Sequence, residues 1–142
     1  MKRKADPRLR SALNRILRTL PRLKAAVIGD LLVDEYVVGR TSRVSREAPV
    51  LIIRYQESRS TLGGAANTAN NVASLGARAW PLGTVGEDAA GRSLMAQLRQ
   101  AGMDTSSVIA SAETPTITKT RILAGGLHTA VQQVIRIDRE PE

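Results

Sequence analysis

Cysteine is absent from the 142 residues and histidine occurs once, at His128. These absences remove disulfide scaffolds and cysteine- or histidine-based zinc sites, and leave a reducing, cytoplasmic setting as the plain reading. A metal would have to rest on oxygen ligands. Phenylalanine is also missing, and one Trp and two Tyr are the only aromatics, too few for the stacking surfaces that hold single-stranded nucleic acid. No apolar run approaches the roughly 20 residues that span a bilayer. The basic N-terminus lacks the apolar core and small-residue cleavage site of a secretory signal. A soluble protein with neither a nucleic-acid partner nor a membrane span is expected.

What is abundant is positive charge, +8 in all, and its distribution decides its meaning. Residues 1–24 hold nine of the 21 Lys and Arg and a single acid, Asp6, so the remainder is balanced. Within that segment Leu9, Leu13, Ile16, Leu17 and Leu20 recur at helical spacing among arginines and end at Pro21. The pattern predicts a basic amphipathic helix, set apart as residues 1–23. Docking of its apolar stripe on the domain is the expected use; an anionic membrane surface or nucleic acid is the other.

From residue 24 to 142 the chain reads as one α/β unit. The run Ala25-Ala26-Val27-Ile28, ending at Gly29-Asp30, predicts a strand buried on both faces of a parallel sheet. A strand over Val50–Tyr55, a helix over Ala65–Leu75 capped by Gly76, a strand over Ala79–Val85 and a helix over Asp88–Ala101 capped by Gly102 follow. Pro81 suits an edge or a strand start better than a strand's middle. Thr116–Leu123 and Ala130–Ile137 are β-rich and predict an antiparallel hairpin turning at residues 125–129, a strand-only accessory layer.

Gly63-Gly64-Ala65-Ala66-Asn67 is the most informative constellation. Paired glycines let backbone approach a ligand closely and then open a helix whose free N–H groups point outward. Asn67 can both donate to and accept from a hydroxyl, and Asn71 is placed on the same face one turn later. The structural alternative is a turn that serves only close helix-to-sheet packing. Asp34, beyond the first strand, is suited to accept from two adjacent sugar hydroxyls, whereas Asp30 suits a turn or a cap.

Taken together, the Gly29-Asp30-x-x-x-Asp34 start, Thr41 to Pro49, Gly63 to Asn67, Val72 to Gly76 and Gly83-x-x-Gly86-x-Asp88-x-x-Gly91 resemble the PfkB (ribokinase) family of carbohydrate kinases. Thr116 to Arg121 and Gln132-Gln133 to Asp138 are similar to its heptose 7-phosphate kinase branch. The resemblance implies the N-terminal part of a Rossmann-like ribokinase fold carrying a small β lid. It also implies a sugar held between sheet and lid, ATP-Mg as phosphate donor, and a role in ADP-heptose and lipopolysaccharide core precursor synthesis. Asp34, Gly63, Gly64 and Asn67 match sugar-contacting positions; Lys119 and Arg121, on one face of a presumed lid strand, are placed to meet the substrate's phosphate, as is Arg43 by family position, a solvated charged strand face being the alternative for all three. A homodimer through the lid, or a complementary C-terminal part, is the partner implied.

One departure is large. Kinases of this family carry a Gly-Ala-Gly-Asp type loop whose amides stabilise the transferring phosphate and whose Asp activates the sugar hydroxyl. No such loop occurs in the sequence, and neither Gly63-Gly64 nor Gly125-Gly126 is followed by an acid at the required spacing. No catalytic residue is therefore assigned, and the isolated chain is expected to be a sugar-binding portion incompetent in phosphoryl transfer. Another sugar kinase of the family, or a non-catalytic subunit, are the alternatives.

Overall fold

The computed structural model describes residues 6–126 and 130–141. Its first element, α1 (Pro7–Thr19), starts on Asp6, whose side chain accepts from Arg8 N–H at 2.9 Å, with Pro7 in the first turn. A single 3-10 turn, Leu20–Arg22, holds Pro21 and ends it. The helix is as expected, but its docking is not: no residue of α1 is buried, and Leu9, Leu13, Ile16 and Leu17 are each about half exposed. A stripe left half exposed, with none of its residues buried, contributes little stability. Deleting residues 1–20 is therefore expected to move the denaturant unfolding free energy by less than about 0.5 kcal/mol. A loss of about 2 kcal/mol or more would show that the helix packs on the domain in solution.

The parallel sheet has the order β1-β4-β5, formed by β1 (Lys24–Ile28), β4 (Arg78–Gly86) and β5 (Val108–Ser111). Helices α2 (Gly64–Ser74) and α3 (Ala89–Gln100) meet one face of it. Ala66 and Ala69 on α2 and Leu94 and Leu98 on α3 are fully buried beside Leu31, Val33, Ala79 and Val85. Alanines three apart let α2 lie close to the strands, and leucines four apart give α3 a single apolar stripe. The opposite sheet face is open: Ile28 is 79% and Ile109 66% exposed. This corrects the expectation that β1 is buried on both faces; Ala25 and Val27 are covered and their neighbours are not.

Pro81 sits within the central strand, and the pairing explains why it is tolerated. Gly29 N–H donates to Leu82 C=O, toward β1, so alternation turns the Pro81 nitrogen to the other edge. Along that edge β5 pairs only from Gly83 onward, and the missing donor costs no ladder bond.

A second, four-stranded sheet is the strand-only layer, in the order β3-β2-β6-β7. It is larger than expected, because β2 (Leu31–Val44) and β3 (Leu51–Gly63) build half of it, as a long antiparallel pair. Strand β6 (Thr118–Gly125) joins β2 in parallel, and β7 (Gln132–Arg139) pairs with β6 antiparallel. The expected hairpin is thus present, while residues 127–129 of its turn, His128 among them, lie outside the described residues. Strand β2 starts in the core, with Leu31, Leu32 and Val33 buried, and runs out into the lid.

Asp88 ties these parts together. Its carboxylate caps α3 by accepting from Gly91 N–H at 2.7 Å, and accepts from Thr116 N–H at 2.9 Å and Thr116 Oγ1 at 2.8 Å. Thr116 Oγ1 in turn accepts from Gly86 N–H at 2.8 Å. Burial alone pushes the Asp88 carboxyl up, but the Gly91 and Thr116 donors and the charge of Arg139 outweigh it and hold the group below its ordinary value. A depressed carboxylate contributes stability that is full above its unfolded value, near 3.9, and is lost as pH falls through the folded value. Asp88→Asn is therefore expected to cost about 1–2 kcal/mol at pH 7, with the deficit shrinking toward pH 3. Denaturant midpoints measured across that range check it; a deficit that does not change with pH would remove the charge from the account.

Candidate functional site

Strand β3 passes into α2 with no loop between them, and the two glycines at the junction make this possible. Gly64 has φ +54°, and a Cβ there would stand 2.5 Å from Asp30 C=O. That carbonyl accepts from Ala65 N–H at 2.9 Å, so Asp30 serves the turn through its backbone. At Gly63 a Cβ would collide with the Leu32 side chain and lie 2.8 Å from Asp34 Oδ2. The bare Gly63 backbone is what lets the Asp34 carboxylate rest against the head of α2.

Above this junction a cleft of about 600 Å³ opens between the lid strands and the helices. Asp34, Tyr36 and Thr61 line it from β2 and β3, Asn67 and Asn70 from α2, and Gln97 and Gln100 from α3. Carboxylate, hydroxyls and amides converge there, a donor and acceptor set that suits a polyol. Asn70, three residues after Asn67, takes the place expected for Asn71, which is exposed and does not line the cleft.

The lid face that carries Asp34 is a charged ladder. Register places Thr61, Asp34, Lys119 and Asp138 in one row across the four strands, and Arg59, Tyr36, Arg121 and Arg136 in the next. Arg121 leans across to bond Asp34 through Nη1 and Oδ1. Lys119 bonds Glu140 at 3.1 Å and lies 3.8 Å from Asp138, which also accepts from Arg136 Nε at 2.9 Å. The guanidiniums of Arg59 and Arg121 stand 5.1 and 5.5 Å from the centroid of the Tyr36 ring, within cation–π range. The bond to Asp34, above all, raises the Arg121 guanidinium above its ordinary value, against the opposing effect of burial. Among the described residues Arg59 has no carboxylate partner.

Asp34, Gly63, Gly64 and Asn67 are thus brought to one place, with Lys119 and Arg121 beside them. Arg43 is not: it lies nine residues further along β2 opposite Ile52, exposed, about 30 Å away at the rise of a strand. Tyr36, Arg59, Thr61, Asn70, Gln97, Gln100 and Arg136 escaped the sequence reading. Alternation from Asp34 points to Tyr36 once Leu31–Val44 is taken as a strand; Arg59 and Arg136 follow only from the pairing register. Among the described residues no group of three or more His, Cys, Asp or Glu is placed to hold a metal ion, and no helix is long and apolar enough to cross a membrane.

Comparison with known proteins adds independent findings. The family profile "pfkB family carbohydrate kinase" matches residues 22–133. The "Bifunctional protein HldE" of Magnetococcus marinus is 43% identical over 114 residues, which is 80% of this chain and 22% of that protein. The "Bifunctional protein HldE" of Helicobacter pylori strain J99 is 42% identical over 117 residues, 82% of this chain and 24% of that protein. The chain therefore spans about a quarter or less of the length of these relatives. Among solved structures, Arabidopsis thaliana ribokinase complexed with ribose and ATP superposes with a TM-score of 0.57 at 22% identity, covering 81% of this chain and 35% of that one. That likeness shows a ribokinase-like α/β fold.

Proposed function

The chain belongs to the pfkB family of carbohydrate kinases, and on that premise we propose that it forms the sugar-binding portion of an ATP-dependent kinase acting on a heptose 7-phosphate. One observation carries this reading: the Asp34 carboxylate and the amide of Asn67 line the same cleft, while Asp34 shares its sheet face with Lys119, Arg121 and Arg59. A carboxylate and amides read vicinal hydroxyls, and guanidiniums read a phosphate by a forked pair of bonds. A sugar that carries a phosphate satisfies both halves; a bare pentose or hexose leaves the cationic half unused.

In the parent reaction the γ-phosphate of ATP passes to a hydroxyl of the sugar phosphate, with Mg supporting the transfer. The described residues do not by themselves fit that part: they assemble no carboxylate cluster for a metal, and the sequence holds no Gly-Ala-Gly-Asp loop. Within this chain the work is binding and orientation. A lid-to-lid homodimer is supported by β7, an edge strand exposed along its whole length, with Ile135 and Ile137 about half exposed.

Titration calorimetry of the 142-residue chain tests the substrate class. A heptose 7-phosphate is expected to bind at least roughly tenfold more tightly than ribose or fructose. Equal affinity for all three would make the chain part of a general sugar kinase, and no binding of any sugar would end the reading.

A further inference from the structure

The residue that reads the sugar and the residue that reads the phosphate are bonded to each other. Lys119 stands directly opposite Asp34 in the parallel register, yet it is drawn to the far side of β6 by Asp138 and Glu140. Arg121, one step along the same face, bonds Asp34 in its place. The pair is about four-fifths covered, with 24% and 20% of the two side chains exposed, and Gly63 leaves the Asp34 carboxylate pressed against the turn. A sugar hydroxyl that seeks Asp34 Oδ1 must therefore compete with the Arg121 guanidinium already bonded to it.

Resting on the proposed sugar-phosphate reading, we infer that Arg121 is a specificity residue which masks Asp34, and that the phosphate of the substrate lifts the mask by drawing Arg121 away. A phosphate has a place to draw it. Arg121 and Arg59 both stand over the Tyr36 ring, from β6 and β3, and Arg59 has no carboxylate partner among the described residues. A dianion between them gains two guanidiniums, and Arg121 exchanges one anionic partner for another. Released, Asp34 is free to accept sugar hydroxyls. An unphosphorylated sugar offers Arg121 only neutral hydroxyl acceptors and must break the pair with weaker compensation. Discrimination then comes from a penalty on the wrong ligand as well as from contact with the right one. Linkage makes the effect reciprocal: inorganic phosphate strengthens binding of a bare heptose, and the heptose strengthens binding of phosphate by the same factor.

The test is calorimetry on the full chain and on Arg121→Gln, Arg121→Lys and Arg59→Gln, each first checked for the parent's circular dichroism spectrum. The probes are a heptose 7-phosphate, the same heptose without its phosphate, and inorganic phosphate. In the parent, saturating inorganic phosphate is expected to tighten bare-heptose binding roughly threefold to fivefold, the scale of a partly exposed ion pair. Arg121→Gln abolishes that coupling, binds the bare heptose roughly threefold to fivefold more tightly than the parent does, and binds the heptose 7-phosphate more weakly. Arg121→Lys, a cation without the fork, falls between. Arg59→Gln weakens the heptose 7-phosphate more than it changes the binding of the bare heptose, and it gives the bare heptose no gain of the Arg121→Gln kind. Bare-heptose binding unmoved by Arg121→Gln and by inorganic phosphate would overturn the mask while leaving the sugar-phosphate reading standing. An equal gain in Arg121→Gln and Arg59→Gln would reduce the effect to net charge and overturn it too. Failure of the parent to bind the heptose 7-phosphate at all would sink the underlying reading and the mask with it.

Discussion

Gly91→Ala is expected to destabilise the chain by about 2–3 kcal/mol, although alanine is the better helix former by close to 1 kcal/mol. Gly91 lies in the first turn of α3, and a Cβ there would collide with Gly86 C=O and stand 2.8 Å from Thr116 Oγ1. Neither obstacle can yield cheaply. The carbonyl is backbone at the end of β4, and Thr116 Oγ1 is fixed by its bonds to Asp88 and Gly86. The added methyl must therefore lift the start of α3 off the sheet, loosening the Asp88 cap and the packing of Leu94 together. Gly102→Ala makes the contrast: it has nothing within 4 Å but a φ of +76°, so it is expected to cost only about 1 kcal/mol in left-handed backbone strain. Denaturant unfolding of both variants checks the pair. Equal losses would mean that the Gly86–Gly91 contact relaxes freely.

Residues that carry their own signal were legible in the sequence. Helices α2 and α3 fall within about a residue of their expected limits because glycines punctuate them, Gly64 at the head of α2 and Gly76 and Gly102 just beyond the ends. Asp34, Gly63, Gly64 and Asn67 were singled out because they match sugar-contacting positions of the resembled family, the glycine pair alone being equally suited to close packing, and the structure brings the four together. Strand β2 was missed as a strand because its environment changes along its length. Leu31, Leu32 and Val33 are all buried, as in a core strand, and the residues after them enter a lid with one face toward the cleft, so no single period runs through it. The partners of Asp34 could not be read locally either. That Arg121 rather than Lys119 holds it depends on Asp138 and Glu140 claiming the lysine from beyond the next strand. The open face of β1 and the uncovered stripe of α1 are likewise matters of what packs where, and an apolar pattern records the capacity for burial without recording its occupant.

Asp34→Ala is expected to lower affinity for a heptose 7-phosphate at least roughly tenfold while leaving the fold intact. The carboxylate is the only anion among the described residues that line the cleft, and hydrogen bonds to a charged group are worth about 1.5–3 kcal/mol each, so losing one or two gives a tenfold fall or more. Two opposing effects limit the loss. Removing Asp34 frees Arg121 for the phosphate, and it removes a negative charge from the neighbourhood of an anionic ligand. Inorganic phosphate is therefore expected to bind the variant as well as the parent or better, while bare heptose binding falls below detection. The structural cost should be small, because the Asp34–Arg121 pair is partly solvated and such pairs contribute about 1 kcal/mol or less. Calorimetry with the three ligands, beside a denaturant titration, separates the effects. A folded Asp34→Ala chain that binds the heptose 7-phosphate as tightly as the parent would take Asp34 out of the site. A parallel loss of phosphate and heptose binding would mean instead that Asp34 acts by holding the lid ladder in shape.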